Sequence, residues 1–390
     1  MRDAHPFVVR EAGAKGYRSL RSVRVSTGRL AVFVGGNGVG KSNLYRALQL
    51  LQGAAAGTLS RQVAVEGGME AAIWAGPRRR HEQARVALEC GLGPPDGDEG
   101  EITYSYGVEL GFPPPIGVSR EAFPAEPQVK EERFHFHHGR RPVALLERRG
   151  PAVFARDAEG RRSEVATDLL ASETAFGALD DPQRFPELHE VRRAMLQWRF
   201  YHDLRTDPAS PLRRPSLAVA SPALASDGGD LAAVFATLVH LRLDTEALDR
   251  AVDDTFPGAK LEVPLPGRTA AFGLVFPDHP RRIFDAAELS DGTLRYLALA
   301  GALLSLRLPP FLALNEPESS LHPDLLEPLA RLIASAARRT QVWVVTHSER
   351  LAAALEREAS VRPRRIAKEA GETVIDDEGF SFQRPAKRAR

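Results

Sequence analysis

Cysteine is nearly absent. Cys90 is the single cysteine in 390 residues, so neither an intrachain disulfide nor a cysteine-based zinc site can form. Lysine is almost as scarce: six of the 52 basic residues are lysine, and the rest are arginine. Long apolar runs are missing too. The longest, Tyr296 to Leu306, stops at Arg307, Pro309 and Pro310. That is well short of the ~20 residues a membrane-crossing helix needs. The N-terminal residues carry no apolar core of a signal peptide. Together these absences lead to the expectation of a soluble, cytoplasmic protein. Neither sign of charge dominates: the net charge is +1, so attraction for nucleic acid has to come from local patches. No internal repeat and no sustained heptad pattern occurs, which excludes a long coiled-coil arm.

What is present suits a folded core. Apolar residues make up 43% and charged residues 26% of the chain, ordinary values for a globular protein. The length suits two or three folding units. Arginine clusters recur at Arg78-Arg79-Arg80, Arg140-Arg141, Arg161-Arg162, Arg213-Arg214 and Arg364-Arg365. They read either as solvated surface or as groups that face phosphates.

Residues 5–34 alternate in short apolar runs, as paired strands do. Ala31 to Val34 is a continuous buried-strand run that ends at glycine. A helix follows from Lys41 or Ser42, with Leu44, Leu48 and Leu51 on one face. Residues 84–160 hold several strand-like pieces, broken by a loop from Phe112 to Pro127 with five prolines. Helical patterns cover Glu187 to Gln197 and Asp230 to Ala251. Regular alternation returns near Asp291 with a helix. The strand Phe311 to Leu314, a helix opened by Pro323 and the strand Val342 to Val345 follow. Strand, helix, strand implies a parallel sheet with helices packed on it. The expected division is 1–165 (first part of the head, with a β subdomain), 166–284 (an inserted, mainly helical lobe), 285–375 (second part of the head) and 376–390 (a basic tail).

Gly35-Gly36-Asn37-Gly38-Val39-Gly40-Lys41-Ser42 matches G-x-x-x-x-G-K-[ST], and the flanks are right: buried strand before, amphipathic helix after. Glycines let the backbone curl so that successive N–H groups point at phosphate oxygens. The helix N-terminus adds partial positive charge. Lys41 reaches the β- and γ-phosphates, and the Ser42 hydroxyl is a ligand for Mg²⁺. Asn43 completes the candidate ATP-binding segment.

Four further pieces follow in order. Leu289-Ser290-Asp291-Gly292-Thr293 is a small-residue turn that opens a helix, where Ser290 and backbone N–H groups can cap a phosphate. Phe311-Leu312-Ala313-Leu314-Asn315-Glu316 is an apolar strand with a polar end. Glu316 there can accept a hydrogen bond from an attacking water. Ser319-Ser320-Leu321-His322 comes next. Val344-Val345-Thr346-His347-Ser348 places His347 at the end of a buried strand.

In that order the pieces resemble the signature, Walker B, D-loop and H-switch of ABC-type ATPases. Gly16-Tyr17-Arg18-Ser19-Leu20, Asp227-Gly228-Gly229-Asp230-Leu231 and Glu316-Pro317-Glu318 with Leu321-His322-Pro323 resemble the narrower RecF-like group. The likeness is to the head alone, without coiled coil or nuclease domain. It implies an α/β P-loop NTPase fold with a mixed parallel sheet flanked by helices. It also implies an ATPase that uses ATP and Mg²⁺, with Glu316 and His347 as catalytic residues and Ser42 and Asn315 at the metal. The signature residues Ser290, Asp291, Gly292 and Thr293 are implied to act in trans, closing on the phosphate loop of a second copy in a homodimer.

One residue departs from the pattern. Asn315 stands where a carboxylate is common, and it brings no negative charge, so weaker Mg²⁺ binding or slow turnover is expected, without loss of hydrolysis being required. The glutamine-bearing loop of transporter heads has only Gln62 and Gln83 as candidates. Three uses of ATP stay open: a DNA-binding clamp in repair or genome maintenance, the ATPase of an anti-phage or toxin–antitoxin system, and a slow nucleotide switch. Outside the motifs, His135 and His137 share a strand face, either as a metal site or as exposed surface. Trp198, Phe200 and Tyr201 either stack on bases or pack the helical lobe. The tail Arg384 to Arg390 is basic enough to attract phosphate without reading sequence.

Overall fold

The computed structural model describes residues 6–376 apart from 79, 99, 114–122, 124, 139–140, 166–167, 203 and 243–244. The basic tail after Asp376 and most of the proline-rich loop therefore lie outside the described residues. Two sheets dominate.

The first sheet has eight strands in the order β2-β1-β4-β5-β6-β7-β8-β9. These are β1 (Val8–Tyr17), β2 (Leu20–Ser26), β4 (Arg85–Gly93), β5 (Tyr104–Gly111), β6 (Gln128–His138), β7 (Arg141–Arg149), β8 (Ala152–Arg156) and β9 (Arg162–Glu164). Every pairing is antiparallel. On β4 and β5 buried and half-buried positions alternate, the period of a sheet with one packed face.

The second sheet has six strands: β10 (Arg199–Tyr201), β16 (Phe311–Asn315), β17 (Gln341–Thr346), β3 (Leu30–Val34), β18 (Arg364–Glu369) and β19 (Glu372–Ile375), in that order. All pairs but the last are parallel. Both faces are buried, which is why β3, β16 and β17 read as unbroken apolar runs. Phe33, Phe311, Ala313, Trp343 and Val345 join one core cluster, with Leu44, Leu48 and Leu51 of the helix Lys41–Ala55. Val32, Val34, Leu312, Leu314, Val342 and Val344 join the other, with the helices Asp291–Leu304, Leu326–Ala337 and Glu349–Ala359. Gln341 ties the two sheets: its side chain accepts from Val9 N at 2.8 Å and donates to Val9 O at 2.7 Å.

Residues 166–284, expected as a mainly helical lobe, are more mixed. They hold the helices Pro186–Leu196, Leu231–Thr237 and Glu246–Asp253. They also hold β10, which pairs with β16 in the central sheet. The long helix expected from Asp230 to Ala251 is interrupted by a π-helical turn at Leu238–Arg242. Small antiparallel pieces fill the remainder: β11 (Ser216–Leu217) with β13 (Thr269–Ala270), and β12 (Lys260–Glu262), β14 (Gly273–Val275) and β15 (Phe284–Asp285). Trp198, Phe200 and Tyr201 are all buried. Trp198 packs on Phe311 with ring centroids 5.2 Å apart, so these aromatics serve the core and are not presented to bases. Among the described residues no helix is long and apolar enough to cross a membrane.

Candidate functional site

Parallel strands end at the same edge of a sheet, so whatever follows them converges there. At the carboxyl edge of the central sheet β3 runs into the glycine-rich loop, β16 into Asn315-Glu316, β17 into His347, and β10 into His202.

The loop curls where only glycine is comfortable. Gly38 and Gly40 have φ of 79° and 102°. A Cβ on Gly40 would lie 2.0 Å from Thr373 Oγ1 and 2.4 Å from Ser19 Oγ. Those two hydroxyls brace the loop from below. Thr373 Oγ1 donates to Val39 O at 2.8 Å and lies 2.7 Å from Ser19 Oγ. Asn43, expected to meet nucleotide, donates its amide to Ser19 at 2.8 Å and belongs to this brace, while it also lines the hollow above. Thr373 was not legible as a site residue, because nothing local marks a threonine on an edge strand.

Above the loop lies a hollow of about 320 Å³ lined by Asn37, Gly38, Gly40, Lys41, Ser42, Asn43 and Glu316. Cβ atoms placed on Gly36 or Gly38 would meet nothing within 4 Å, so the loop backbone is open to a ligand. Lys41 Nζ donates to the carbonyls of Gly35 and Gly36 at 2.8 and 2.6 Å. Burial pulls the lysine's pKa below its ordinary value, and the charges of Glu316 and Glu318 act against that shift.

Across the hollow, Glu316 has φ of 48°, a left-handed conformation uncommon for a non-glycine residue and costing ~1–3 kcal/mol. Its N–H donates to Val345 O at 2.7 Å, which holds the turn. His347 Nδ1 lies 3.1 Å from Glu318 Oε1 and 3.8 Å from Glu316 Oε1. Glu318 is buried. Its Oε1 accepts from Thr346 Oγ1 at 2.5 Å, His347 N at 2.9 Å and Ser348 N at 3.2 Å. Two buried oxygens here, Asn315 Oδ1 and Glu318 Oε2, have no hydrogen-bond partner among the described residues. Unsatisfied buried acceptors are costly. Oxygen donors beside a phosphate-sized hollow are the donor set a hard cation such as Mg²⁺ takes, so the residues fit both ATP and its metal.

The signature residues sit elsewhere. Ser290 caps the helix Asp291–Leu304 by accepting from Thr293 N at 3.2 Å, and Asp291 pairs with Arg213 at 2.6 Å. None of Ser290, Asp291, Gly292 and Thr293 lines the hollow of its own chain. Their helix is nevertheless wired to it. Arg295 donates to Leu204 O and Glu316 O, both at 3.2 Å.

Neither glutamine candidate reaches the edge. Gln62 packs against Gly53, at the far end of the helix from Lys41, and donates to Thr58. Twelve residues of helix separate that end from Lys41, about 18 Å. Gln83 is exposed ahead of β4, in the other sheet. The strand beside β16 is β10, where Tyr201 pairs with Leu314. The next residue, His202, is therefore set beside Asn315, with its ring 5.8 Å from Tyr45. His135 and His137 lie 6.5 Å apart on β6, and His137 is hydrogen-bonded to Ser105 at 2.7 Å. Burial lowers the pKa of both.

This fold and edge define an ABC-type P-loop ATPase head. The chain belongs to the family described as "AAA domain, putative AbiEii toxin, Type IV TA system", whose profile matches residues 30–353. Among solved structures it resembles the Smc head domain with an extended coiled coil bound to the C-terminal domain of ScpA, from Pyrococcus furiosus. That match has a TM-score of 0.51 at 14% identity over 95% of this chain and 96% of that one. The SMC head domain from Thermotoga maritima also matches, with TM-score 0.42 and 15% identity over 94% and 98% of the two chains. At these identities the likeness is one of fold. No curated protein matches the chain.

Proposed function

We propose that this chain binds ATP with Mg²⁺ and hydrolyses it, in a homodimer whose signature segments close on the opposite phosphate loops. The observation that supports this most is that Lys41 and Glu316 line one hollow at the end of four parallel strands, with His347 Nδ1 3.8 Å from Glu316. Backbone N–H groups of the loop and the start of the helix Lys41–Ala55 cradle the phosphates. Lys41 exchanges the carbonyls of Gly35 and Gly36 for β- and γ-phosphate oxygens. Ser42 and Asn315 hold Mg²⁺, which when bound offsets the charge that spreads over the transferred group. Glu316 orients the attacking water and His347 contacts the γ-phosphate. Ser290 to Thr293, outside the hollow of their own chain, suit a role across a dimer interface. The test is phosphate release with Mg²⁺ against chelator, together with light scattering of Glu316→Gln with and without ATP. The variant is expected to bind ATP, fail to cleave it and stay dimeric for longer. Cleavage at the wild-type rate would remove Glu316 from its role.

For the purpose of the ATP, the family's description favours the ATPase component of a toxin–antitoxin or anti-phage system over the DNA-repair clamp that the RecF-like motifs imply. Turnover measured with duplex DNA, with single-stranded DNA and with neither separates the two. Indifference to both supports the defence reading, and stimulation by either supports the clamp.

A further inference from the structure

The residue beside the metal that carries no charge is Asn315, and the residue nearby that carries charge without an assigned task is Glu318. We propose that Glu318 is a positioning residue that supplies, from three residues further along the chain, the negative charge Asn315 lacks at the Mg²⁺ side of the site. The proposal rests on the ATP–Mg²⁺ reading above.

The turn after β16 makes this geometrically natural. The left-handed conformation of Glu316 reverses the chain, and Ser319 N closes the turn on Glu316 O at 3.1 Å. Glu318 is thereby carried back over the sheet edge, against residues 346–348 at the end of β17. Its neighbours on that strand, Val345 and Thr346, pair with Asn315 and Val34. The carboxylate thus stands between the strand that carries Asn315 and the strand that enters the phosphate loop.

Its two oxygens are used unequally. Oε1 takes the donors of Thr346, His347 and Ser348 and faces His347 Nδ1. That contact presents Nδ1 to the carboxylate and leaves Nε2 for the phosphate side. Oε2 is buried and has no partner among the described residues. A carboxylate needed only to cap the 346–348 turn would gain nothing from a second, desolvated oxygen, and desolvation of an ion is expensive. A cationic partner repays that cost. Lys41 lies within electrostatic reach, and a divalent ion beside Asn315 Oδ1 would do so more fully. With Asn315 neutral, Glu316 and Glu318 are the two carboxylates that follow the end of β16.

The experiment uses the full chain, with Mn²⁺ as the probe metal. Mn²⁺ binding in the presence of ATP is followed by electron paramagnetic resonance. ATP affinity across a Mg²⁺ series is measured by calorimetry. Both are applied to the wild type, Glu318→Gln, Asn315→Asp and the double variant. Glu318→Gln keeps the shape and loses the charge, and is expected to weaken Mn²⁺ affinity by about tenfold or more. The double variant regains it, because Asn315→Asp restores a charge on the neighbouring side of the metal. A merely structural role for Glu318 would not be rescued by a charge placed at residue 315. Asn315→Asp alone is expected to change Mn²⁺ affinity little, since the charge is already present. This variant keeps the test alive should Glu318→Gln fold poorly, because a tenfold gain would overturn the proposal. So would wild-type metal affinity in Glu318→Gln, or no recovery in the double variant. A wild type that binds neither ATP nor Mn²⁺–ATP would sink the nucleotide reading, and this one with it.

Discussion

The two sheets share one core cluster and place their polar groups differently. In the eight-stranded sheet neighbouring strands run in opposite directions, so no single edge collects the strand ends. Charges there are settled pair by pair. Glu132 and Arg148 are both fully buried and lie 3.6 Å apart. Glu132 also accepts from Tyr106 Oη at 3.0 Å and from the backbone N–H groups of Ala175 and Phe176 at 2.6 and 3.2 Å. Arg148 donates to Gly150 O at 2.9 Å and Leu170 O at 3.2 Å. That cluster closes on itself. In the central sheet the strands run together and their ends meet, and there two buried oxygens, Asn315 Oδ1 and Glu318 Oε2, have no hydrogen-bond partner among the described residues. Parallel pairing gathers strand ends at one edge, where a ligand can meet several of them, whereas the Glu132–Arg148 cluster of the antiparallel sheet serves structure.

The contrast can be broken by substitution. The largest effect is expected from Arg148→Met, which strands Glu132 as a buried charge and should cost about 3–5 kcal/mol of stability. Urea unfolding measures it. ATP affinity of the folded fraction should be unchanged, and loss of ATP binding without loss of stability would show that the antiparallel sheet belongs to the site. Next comes Glu316→Gln, expected to lower turnover by about a thousandfold with the unfolding midpoint unmoved. Lys41→Ala should weaken ATP binding by about a hundredfold in calorimetry, again without unfolding. A large fall in stability for either variant would mean that the central edge is as structural as the other sheet.

The smallest effect is expected at Cys90. Burial pushes its thiol up to about 12, above the unfolded value, so at pH 8 it stays protonated in the folded state. A thiol reagent should label it only as fast as the protein unfolds, with no effect of ATP. Rapid labelling that ATP suppresses would place the antiparallel sheet in the nucleotide response.

Much of the central edge was legible in the chain. The phosphate loop is a local object: glycine spacing, a buried strand before it and a helix after it constrain backbone angles over a dozen residues. The same holds for the apolar runs of β16 and β17 and for the Ser290 cap. The apolar spacing predicts one helix from Asp230 to Ala251, whereas the structure has Leu231–Thr237, a π-helical turn at Leu238–Arg242 and a separate helix Glu246–Asp253. Gln62 attracted notice as a glutamine near the phosphate loop in sequence, although a straight helix carries it to the far end.

What the sequence by itself determined is therefore the class of chemistry. Lys41 and Ser42 open a helix after β3, and Glu316 and His347 follow β16 and β17, all in elements whose buried character and order are written in local pattern. The tertiary structure alone decided which groups surround them. Thr373 braces Val39 because β19 closes the sheet on its far side. His202 stands beside Asn315 because β10 pairs with β16 across more than a hundred residues of chain. Glu318 reaches residues 346–348 because a left-handed turn sends it back over the edge. Local patterns constrain the angles of neighbouring residues. Contacts between distant segments depend on strand order and on the direction of a turn, and neither is encoded in any one stretch of sequence.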